Sequence, residues 1–175
     1  GITSPAPLID LSVSKWDKLL NVNTRATLLL AQAAYPALKE SKGALVAVAS
    51  MSGMGAHPGM GAYSPSKAAL ISLCQVLAQE WACDGINVNT VSPGMIRTPL
   101  TQKVYENNQI AKERAALVPW GRVGNPEDIS NVISFLLSPE ANYITGQNIL
   151  VDGGFVDSLY RHIPGLPDSS EIDKT

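Results

Sequence analysis

The sequence is short of cysteine, of long apolar runs and of charge, and each shortage excludes a class of protein. Its two cysteines, Cys74 and Cys83, are too few for a disulfide scaffold and lack the spacing of metal ligands. No apolar run approaches the roughly 18 residues that cross a bilayer. No basic segment followed by an apolar core opens the chain, as it would in a secretory signal. We therefore expect a reduced, cytoplasmic protein with buried thiols.

The charge balance favours no polyanionic partner. Thirteen lysines and arginines against fifteen aspartates and glutamates give a net charge of −2 over 175 residues. This leaves no basic footprint for nucleic acid or an anionic membrane surface. The chain is 45% hydrophobic and only 16% charged, which suits one domain with a real core. Some of the apolar surface is expected to lie inside a larger assembly.

Hydrophobic periodicity predicts strands that alternate with helices. A capping box at 14–17 predicts a helix that ends near Tyr35, before Pro36. A helix over 64–82 has apolar positions on most of its circumference, so burial on nearly every side is expected. Asn125 and Pro126 predict the start of another helix. Strands are predicted at 44–49, 86–92 and 147–151, with a long loop containing a helix at 95–123.

Alternating strands and helices indicate an α/β fold with a parallel sheet. Such a sheet binds its ligand at the carboxyl ends of its strands. Ser50, the Pro93-Gly94 turn and Asp152 each follow a predicted strand. We therefore expect these residues to border one cleft.

Tyr63 and Lys67 are the strongest chemical candidates for that cleft. Residues i and i+4 share a helix face, so the phenol and the ammonium can point into one site, to which the preceding strand brings the Ser50 hydroxyl. Three donors of graded acidity suit proton transfer to or from a substrate oxygen. Structural roles are the alternative: Tyr63 as a helix cap, Lys67 as a solvated lysine and Ser50 as a partner of backbone groups.

An asparagine, a histidine and three methionines near the cleft each have a functional and a structural interpretation. Asn23 lies on the apolar face of the first predicted helix, where an unpartnered amide costs about 1–3 kcal/mol. His57 could touch substrate, but an exposed loop histidine is the favoured interpretation. Met51, Met54 and Met60 either line the pocket mouth or supply adaptable packing.

Taken in order, these residues resemble the short-chain dehydrogenase/reductase family over nearly all of positions 1–155. The matching motifs are Tyr63-x-x-x-Lys67, Ser50 thirteen positions earlier, Asn23 in Asn-Val-Asn, Pro93-Gly94 followed by Thr98, and Asp-Gly-Gly at 152–154. A lone Tyr-x-x-x-Lys is a weak signal, whereas the ordered set is specific.

The resemblance implies a Rossmann-like, doubly wound parallel sheet and hydride transfer between NAD or NADP and a secondary alcohol or ketone. Tyr63 would be the acid/base, with the Lys67 charge favouring its phenolate. Ser50 would donate to the substrate oxygen, and Ser52 is its competitor for that role. Asn23 would hold a water in a proton path, although a structural amide is nearly as well supported.

The resemblance also assigns binding roles. Tyr63, Lys67, Pro93, Gly94, the backbone around Ile96, and Thr98 would contact the cofactor. Ser50, Ser52 and Met95 would contact the substrate, in a pocket shaped by residues 51–60 and 95–120. The mixed polarity of these two segments favours a small alcohol, polyol or sugar over a steroid as the substrate.

One departure concerns the family's cofactor-binding half. Its glycine-rich turn, and the acidic or basic residue that selects between NAD and NADP, have no counterpart in this sequence. We expect a partial Rossmann-like domain at 1–155, with strands 5-6-7 of the family order, and a tail at 156–175. Strand 44–49 would then be a bare edge and an aggregation site. The chain alone is expected to be inactive and to bind no dinucleotide.

Two further hypotheses stay open. The chain could be a non-catalytic module that retains oligomerisation helices, since the helices at 14–35 and 64–82 are apolar enough to pair between subunits. A homodimer or homotetramer is expected under either hypothesis. The family's epimerase and dehydratase relatives share Tyr-x-x-x-Lys, but the compact ending at Asp-Gly-Gly argues against them.

Overall fold

The computed structural model describes residues 1–165 and shows a three-stranded parallel sheet. The strands are β1 (Ala44–Val48), β2 (Asn87–Pro93) and β3 (Asn148–Val151), in the order β1-β2-β3. Thr90 lies beside Ala47 on one side and Asn148 on the other. The predicted α/β class and the three strands are confirmed, with β2 and β3 each starting one residue later than expected.

The first helical segment departs from its prediction at both ends. Helix α1 (Val13–Leu20) begins after Ser12, whose hydroxyl accepts a hydrogen bond from the Lys15 amide at 3.4 Å, so the predicted capping box at 14–17 is wrong. A π-helical turn, Asn21–Arg25, leads without a break into α2 (Ala26–Ser41). Pro36 lies inside α2 rather than ending it.

Burial explains why α2 continues past Pro36. A proline inside a helix removes one backbone hydrogen bond and crowds the preceding turn. Ala31, Tyr35 and Leu38 lie on both sides of Pro36 and pack on one core cluster, so the helix keeps its contacts by continuing. It ends at Ser41, and its C-cap residue, Lys42, has a left-handed backbone with φ of 51°.

Helix α3 (Tyr63–Trp81) is confirmed, but not its expected burial on every side. Its inner face, with Leu70, Cys74 and Ala78, is buried, whereas Val76 is 50% exposed. The sheet and the α1–α2 segment cover only part of its circumference. Cys83, expected to be buried, is exposed because it follows α3 in a one-turn 3-10 helix, Ala82–Asp84.

The region after β2 contains more helix than expected. Helices α4 (Gln102–Tyr105) and α5 (Asn108–Leu117) occupy the predicted loop, and α6 (Pro126–Leu136) begins at the expected cap, where Asn125 and Asp128 form a capping box. The predicted tail at 156–175 includes a 3-10 helix, Leu159–His162, and its residues 166–175 lie outside the described part. Other one-turn 3-10 helices are Leu8–Asp10, Met51–Gly53 and Pro139–Ala141.

The core consists of two clusters on opposite faces of the sheet. Val88 packs with α2 and α3, whereas Val91 packs with α6, as expected from the alternation of side chains along a strand. Strand β1 is an edge of the sheet, and Val48 at its end is 46% exposed. Within residues 1–165, none of the helices has both the length and the apolarity to cross a bilayer.

Candidate active site

The carboxyl ends of all three strands meet at one edge of the sheet. Ser50 follows β1, Gly94 follows β2 and Asp152 follows β3, as the sequence predicts. The Gly94 amide donates to the Val151 carbonyl at 2.9 Å. A Cβ added to Gly94 would lie 2.5 Å from that of Asp152, so only glycine allows these two strand ends to come so close.

Lys67 is buried and tied to the end of β1. Its side chain is 6% exposed, and its Nζ donates to the Val48 carbonyl at 2.9 Å. The alternative of a solvated helix lysine is therefore wrong. Burial lowers the pKa of Lys67 from its ordinary value, because the charged form loses hydration. A buried cation acts on its neighbours through a weakly screening medium.

Tyr63 is half-buried at the start of α3, one turn before Lys67. The Lys67 Nζ lies 6.0 Å from the centroid of the Tyr63 ring, so the structure places the two side chains together. The residue that caps α3 is Ala62, and no residue among 1–165 forms a hydrogen bond with the Tyr63 phenol. The phenol is therefore free for another partner.

Ser50 is held in place by the turn that follows it. It is 9% exposed, and its Oγ accepts a hydrogen bond from the Ser52 amide at 3.1 Å. That bond occupies a lone pair and leaves the hydroxyl proton for donation.

Gly53 allows this turn to lie directly on α3. A Cβ added to Gly53 would lie 2.9 Å from the Lys67 carbonyl carbon and 3.0 Å from the Ala68 amide nitrogen. The close approach fixes the Ser50 turn against the helix that carries Tyr63 and Lys67.

Asn23 lies within the π-helical turn and is 3% exposed. Its Oδ1 accepts from the Ile2 amide at 2.8 Å, and its Nδ2 donates to the Ile2 carbonyl and to Ser66 Oγ. The amide thus ties the N-terminal segment to α3. A methyl group added to Gly1 would lie 2.8 Å from Asn23 Oδ1 and 3.4 Å from Lys67 Nζ, so both side chains border one small volume.

Ser66 is a residue that the sequence analysis missed. It is completely buried, accepts from Asn23 at 3.0 Å and donates to the Tyr63 carbonyl at 2.7 Å. It therefore links the amide to the first turn of α3. The signal in the sequence that could have identified Ser66 is its position three residues after Tyr63, because residues i and i+3 share a helix face.

Thr101 is a second residue that the sequence did not point to. It joins Thr98 and Ile96 in one turn. The Thr101 hydroxyl donates to the Ile96 carbonyl at 2.7 Å and accepts from the Thr98 amide at 2.9 Å. Thr98 therefore lies in a turn, and the N-cap of helix α4 is Thr101.

Four of the predicted site residues line cavities, two in each of two different cavities, whereas Ser50 and Tyr63 line neither. One, of about 420 Å³, runs along the exposed edge of β1 and is lined by Asn23, Lys67 and apolar side chains of α2 and β1. The other, of about 260 Å³, is lined by Met95, Ile96, Trp120 and Asp152. Met95 thus borders a different cavity from Lys67.

The polar and methionine side chains of the glycine-rich loop between Ser50 and Tyr63 differ in their exposure. His57 is exposed, as expected, and Ser52 is 6% exposed. Met54 is exposed and its Sδ accepts from Asn148 at 3.1 Å, whereas Met51 and Met60 are half-buried. No group of three or more potential metal ligands occurs in the described residues.

Comparison with known proteins gives a consistent result. Residues 1–156 match the model of the enoyl-(acyl carrier protein) reductase family. The chain is 40% identical to 3-oxoacyl-[acyl-carrier-protein] reductase FabG of Thermotoga maritima, covering 89% of this chain and 63% of the relative. It is 39% identical to (3R)-3-hydroxyacyl-CoA dehydrogenase of Mus musculus, covering 88% and 60% respectively. The chain thus spans less than two thirds of the length of these relatives.

Solved structures agree with the fold. A putative 2-deoxy-d-gluconate 3-dehydrogenase from Agrobacterium tumefaciens with bound NADP superposes with a TM-score of 0.84 at 33% identity, covering 90% of this chain and 65% of that one. A 4-hydroxyisoleucine dehydrogenase mutant complexed with NADH and succinate gives a TM-score of 0.84 at 36% identity, with the same coverage.

Proposed function

This chain belongs to the short-chain dehydrogenase/reductase family. We propose that it forms the catalytic part of an NAD(P)-dependent oxidoreductase that interconverts a secondary alcohol and a ketone. A small alcohol, polyol or sugar is the proposed substrate. The observation that carries the proposal is the buried Lys67, 6.0 Å from the ring of Tyr63 and tied to the strand that leads to Ser50.

The residues fit the nicotinamide-ribose end of such a cofactor, which supplies the hydride acceptor or donor when bound. The Lys67 ammonium has three N–H groups, of which one is given to the Val48 carbonyl. Two remain for ribose hydroxyls, together with the free Tyr63 phenol. Pro93, Gly94, Ile96 and Thr98 form the adjoining strand end and turn, where we assign the nicotinamide contacts.

Each proton-handling step is assigned to a named atom. Tyr63 Oη gives a proton to the ketone oxygen, or takes it from the alcohol. Ser50 Oγ donates to the same substrate oxygen and stabilises its developing charge. The volume bordered by Asn23 Oδ1 and Lys67 Nζ suits a water that relays protons, while the remaining Asn23 bonds position α3.

Removal of the Tyr63 hydroxyl tests this proposal. In the full-length protein, Tyr63→Phe should lower kcat for NAD(P)H-dependent ketone reduction by about 10²–10⁴-fold, because general acid catalysis is lost. Tyr143→Phe is the matched control, since Tyr143 is fully exposed, and it should keep the wild-type rate. A Tyr63→Phe protein with wild-type kcat would show that Tyr63 is not the acid/base.

A second candidate function is a non-catalytic oligomerisation module. It is supported by the open edge of β1 with its 420 Å³ cavity and by apolar side chains exposed on α2 and α3, with Leu29 54% and Val76 50% exposed. Under this hypothesis the chain pairs through the helices at 14–35 and 64–82 and binds no nucleotide. Ketone reduction that Tyr63→Phe removes would exclude this second function, because a non-catalytic module has no such activity to lose.

A further inference from the structure

Two hydroxyls and one amide form a polar cluster on a face of the sheet where apolar side chains are usual. Thr90 and Ser92 on β2 are 1% and 0% exposed, and their hydroxyls donate to Oδ1 of Asn148 on β3 at 2.8 Å and 2.7 Å. Both share a strand face with Val88, which packs with α2 and α3. The cluster therefore lies on the side of the sheet that faces the helix of the proposed acid/base.

The nitrogen end of this amide reaches the loop between Ser50 and Tyr63. Asn148 Nδ2 donates to Met54 Sδ at 3.1 Å, and the two residues are 94 positions apart in the chain. The orientation of the amide follows from its partners, because a thioether sulfur is only an acceptor. The opposite orientation would place the amide oxygen against the sulfur with no hydrogen between them. Asn148 therefore presents its N–H to Met54.

Met54 lies where the loop leaves the surface of α3. The preceding residue, Gly53, lies against the α3 backbone, and the Met54 amide donates to the Met51 carbonyl at 3.0 Å. Met54 itself is 53% exposed, and residues 55–59 are exposed as well. The Met54 sulfur thus joins the exposed part of the loop to β3, whereas Gly53 fixes the part that carries Ser50.

We propose that Asn148 is a positioning residue, which holds the loop over 54–60 on the sheet through the Met54 sulfur. This rests on the proposed oxidoreductase function. A substrate whose oxygen meets both Ser50 and Tyr63 lies against the loop that connects them, so the position of the loop sets how well the substrate fits. The proton steps stay with the residues assigned above. Loss of the anchor should therefore raise the KM for the alcohol or ketone and leave kcat within about twofold.

The anchor can be measured in the 175-residue chain without turnover. Hydrogen exchange of the Met54 and Gly55 amides, both bonded to the Met51 carbonyl, reports the opening of the loop. Met54→Leu removes the sulfur acceptor, whereas Asn148→Asp keeps an oxygen for the two buried hydroxyls and loses the N–H. Each variant should speed exchange by about 2–10-fold, the size expected for the loss of one hydrogen bond.

Three further variants separate the anchor from a general loss of structure. In Met54→Gln the side-chain carbonyl can accept from Asn148 in place of the sulfur, so exchange should stay slow. Asn142→Asp, at an exposed position, is the matched control for the added charge and should leave exchange unchanged. The double variant Met54→Leu/Asn148→Asp should exchange no faster than the faster single variant, because both changes remove one contact. Wild-type exchange in Met54→Leu, or multiplied effects in the double variant, would overturn the assignment.

Turnover is measured separately, on the protein used for Tyr63→Phe. Met54→Leu should raise the KM for the ketone by about 2–10-fold, and Met54→Gln should restore it. Faster exchange in Met54→Leu, together with no turnover by the wild-type protein, would refute the oxidoreductase function and keep the anchor. Faster exchange with an unchanged KM would refute the positioning role alone.

Discussion

At the scale of single residues, glycines decide whether the catalytic candidates can meet. Ser50 reaches the neighbourhood of α3 only because the turn after it lies against the helix backbone. Gly53 is the point of closest approach, with a virtual Cβ 2.9 Å from the Lys67 carbonyl carbon. Backbone atoms cannot move aside as a flexible side chain can. The position of Ser50 relative to Tyr63 therefore depends on residue 53 being a glycine, which has no side chain.

We predict that Gly53→Ala destabilises the protein by about 1–3 kcal/mol, the usual cost of overpacking. Gly55→Ala is the matched control, because a Cβ there meets its nearest atom at 4.0 Å. Urea unfolding of the two variants checks the difference. Equal midpoints for Gly53→Ala and wild type would show that the turn moves away from α3 without cost.

At the scale of elements, a charged cluster joins the end of α2 to the connection between α3 and β2. Asp84 accepts a hydrogen bond from the Tyr35 phenol and forms an ion pair with Lys39 at 2.7 Å. Lys42 Nζ donates to the Asp84 carbonyl at 2.9 Å. The Lys39 hydrogen bond, followed by that of Tyr35, lowers the pKa of Asp84 from its ordinary value. All these partners lie at or beyond residue 35, so the cluster depends on α2 continuing past the expected stop.

This cluster should contribute to stability only above the acid range. A carboxylate whose pKa is lowered by folding stabilises the native state above its unfolded pKa, near 3.9, and that contribution disappears as the pH falls through the folded pKa. Asp84→Asn should therefore lower the thermal midpoint at about pH 7, with the difference from wild type shrinking below about pH 4. Asp17→Asn, on an exposed position of α1, is the control. A pH-independent difference for Asp84→Asn would contradict the role of its charge.

At the scale of the whole molecule, the sheet is open on the side of β1. The edge of β1 and the cavity of about 420 Å³ beside it are lined mainly by apolar side chains, with Asn23 and Lys67 at one end. The relatives with which the chain aligns are longer, since it covers 63% and 60% of two of them. An exposed edge strand beside apolar surface favours association with other chains.

We predict that the 175-residue chain binds neither NAD nor NADP with micromolar affinity and that it self-associates. Isothermal titration calorimetry with each dinucleotide, and sedimentation equilibrium of the same sample, check the two parts. The matched control is a chimera that adds the part of a relative's length that this chain does not cover, and it should bind one of them. Micromolar binding by the isolated chain would overturn the expectation and the non-catalytic hypothesis together.

The sequence by itself determined the class of the fold and the order of its motifs. Short β-prone runs, the 3.6-residue hydrophobic period and helix caps are local features, so the three strands, α3 and the capped start of α6 could be predicted from their own residues. The i, i+4 spacing also placed Tyr63 and Lys67 on one helix face. These features need only the geometry of a helix or a strand.

Only the tertiary structure decided how those elements are used. Pro36 stays inside α2 because residues on both sides of it pack on a distant core cluster. Lys67 is buried and engaged by Val48, and Asn23 is satisfied by Ile2 and Ser66. These partners are far from each other in the chain and become neighbours only when the sheet and helices assemble. Local pattern contains no information on such contacts, because their free energy comes from burial and pairing in the folded molecule.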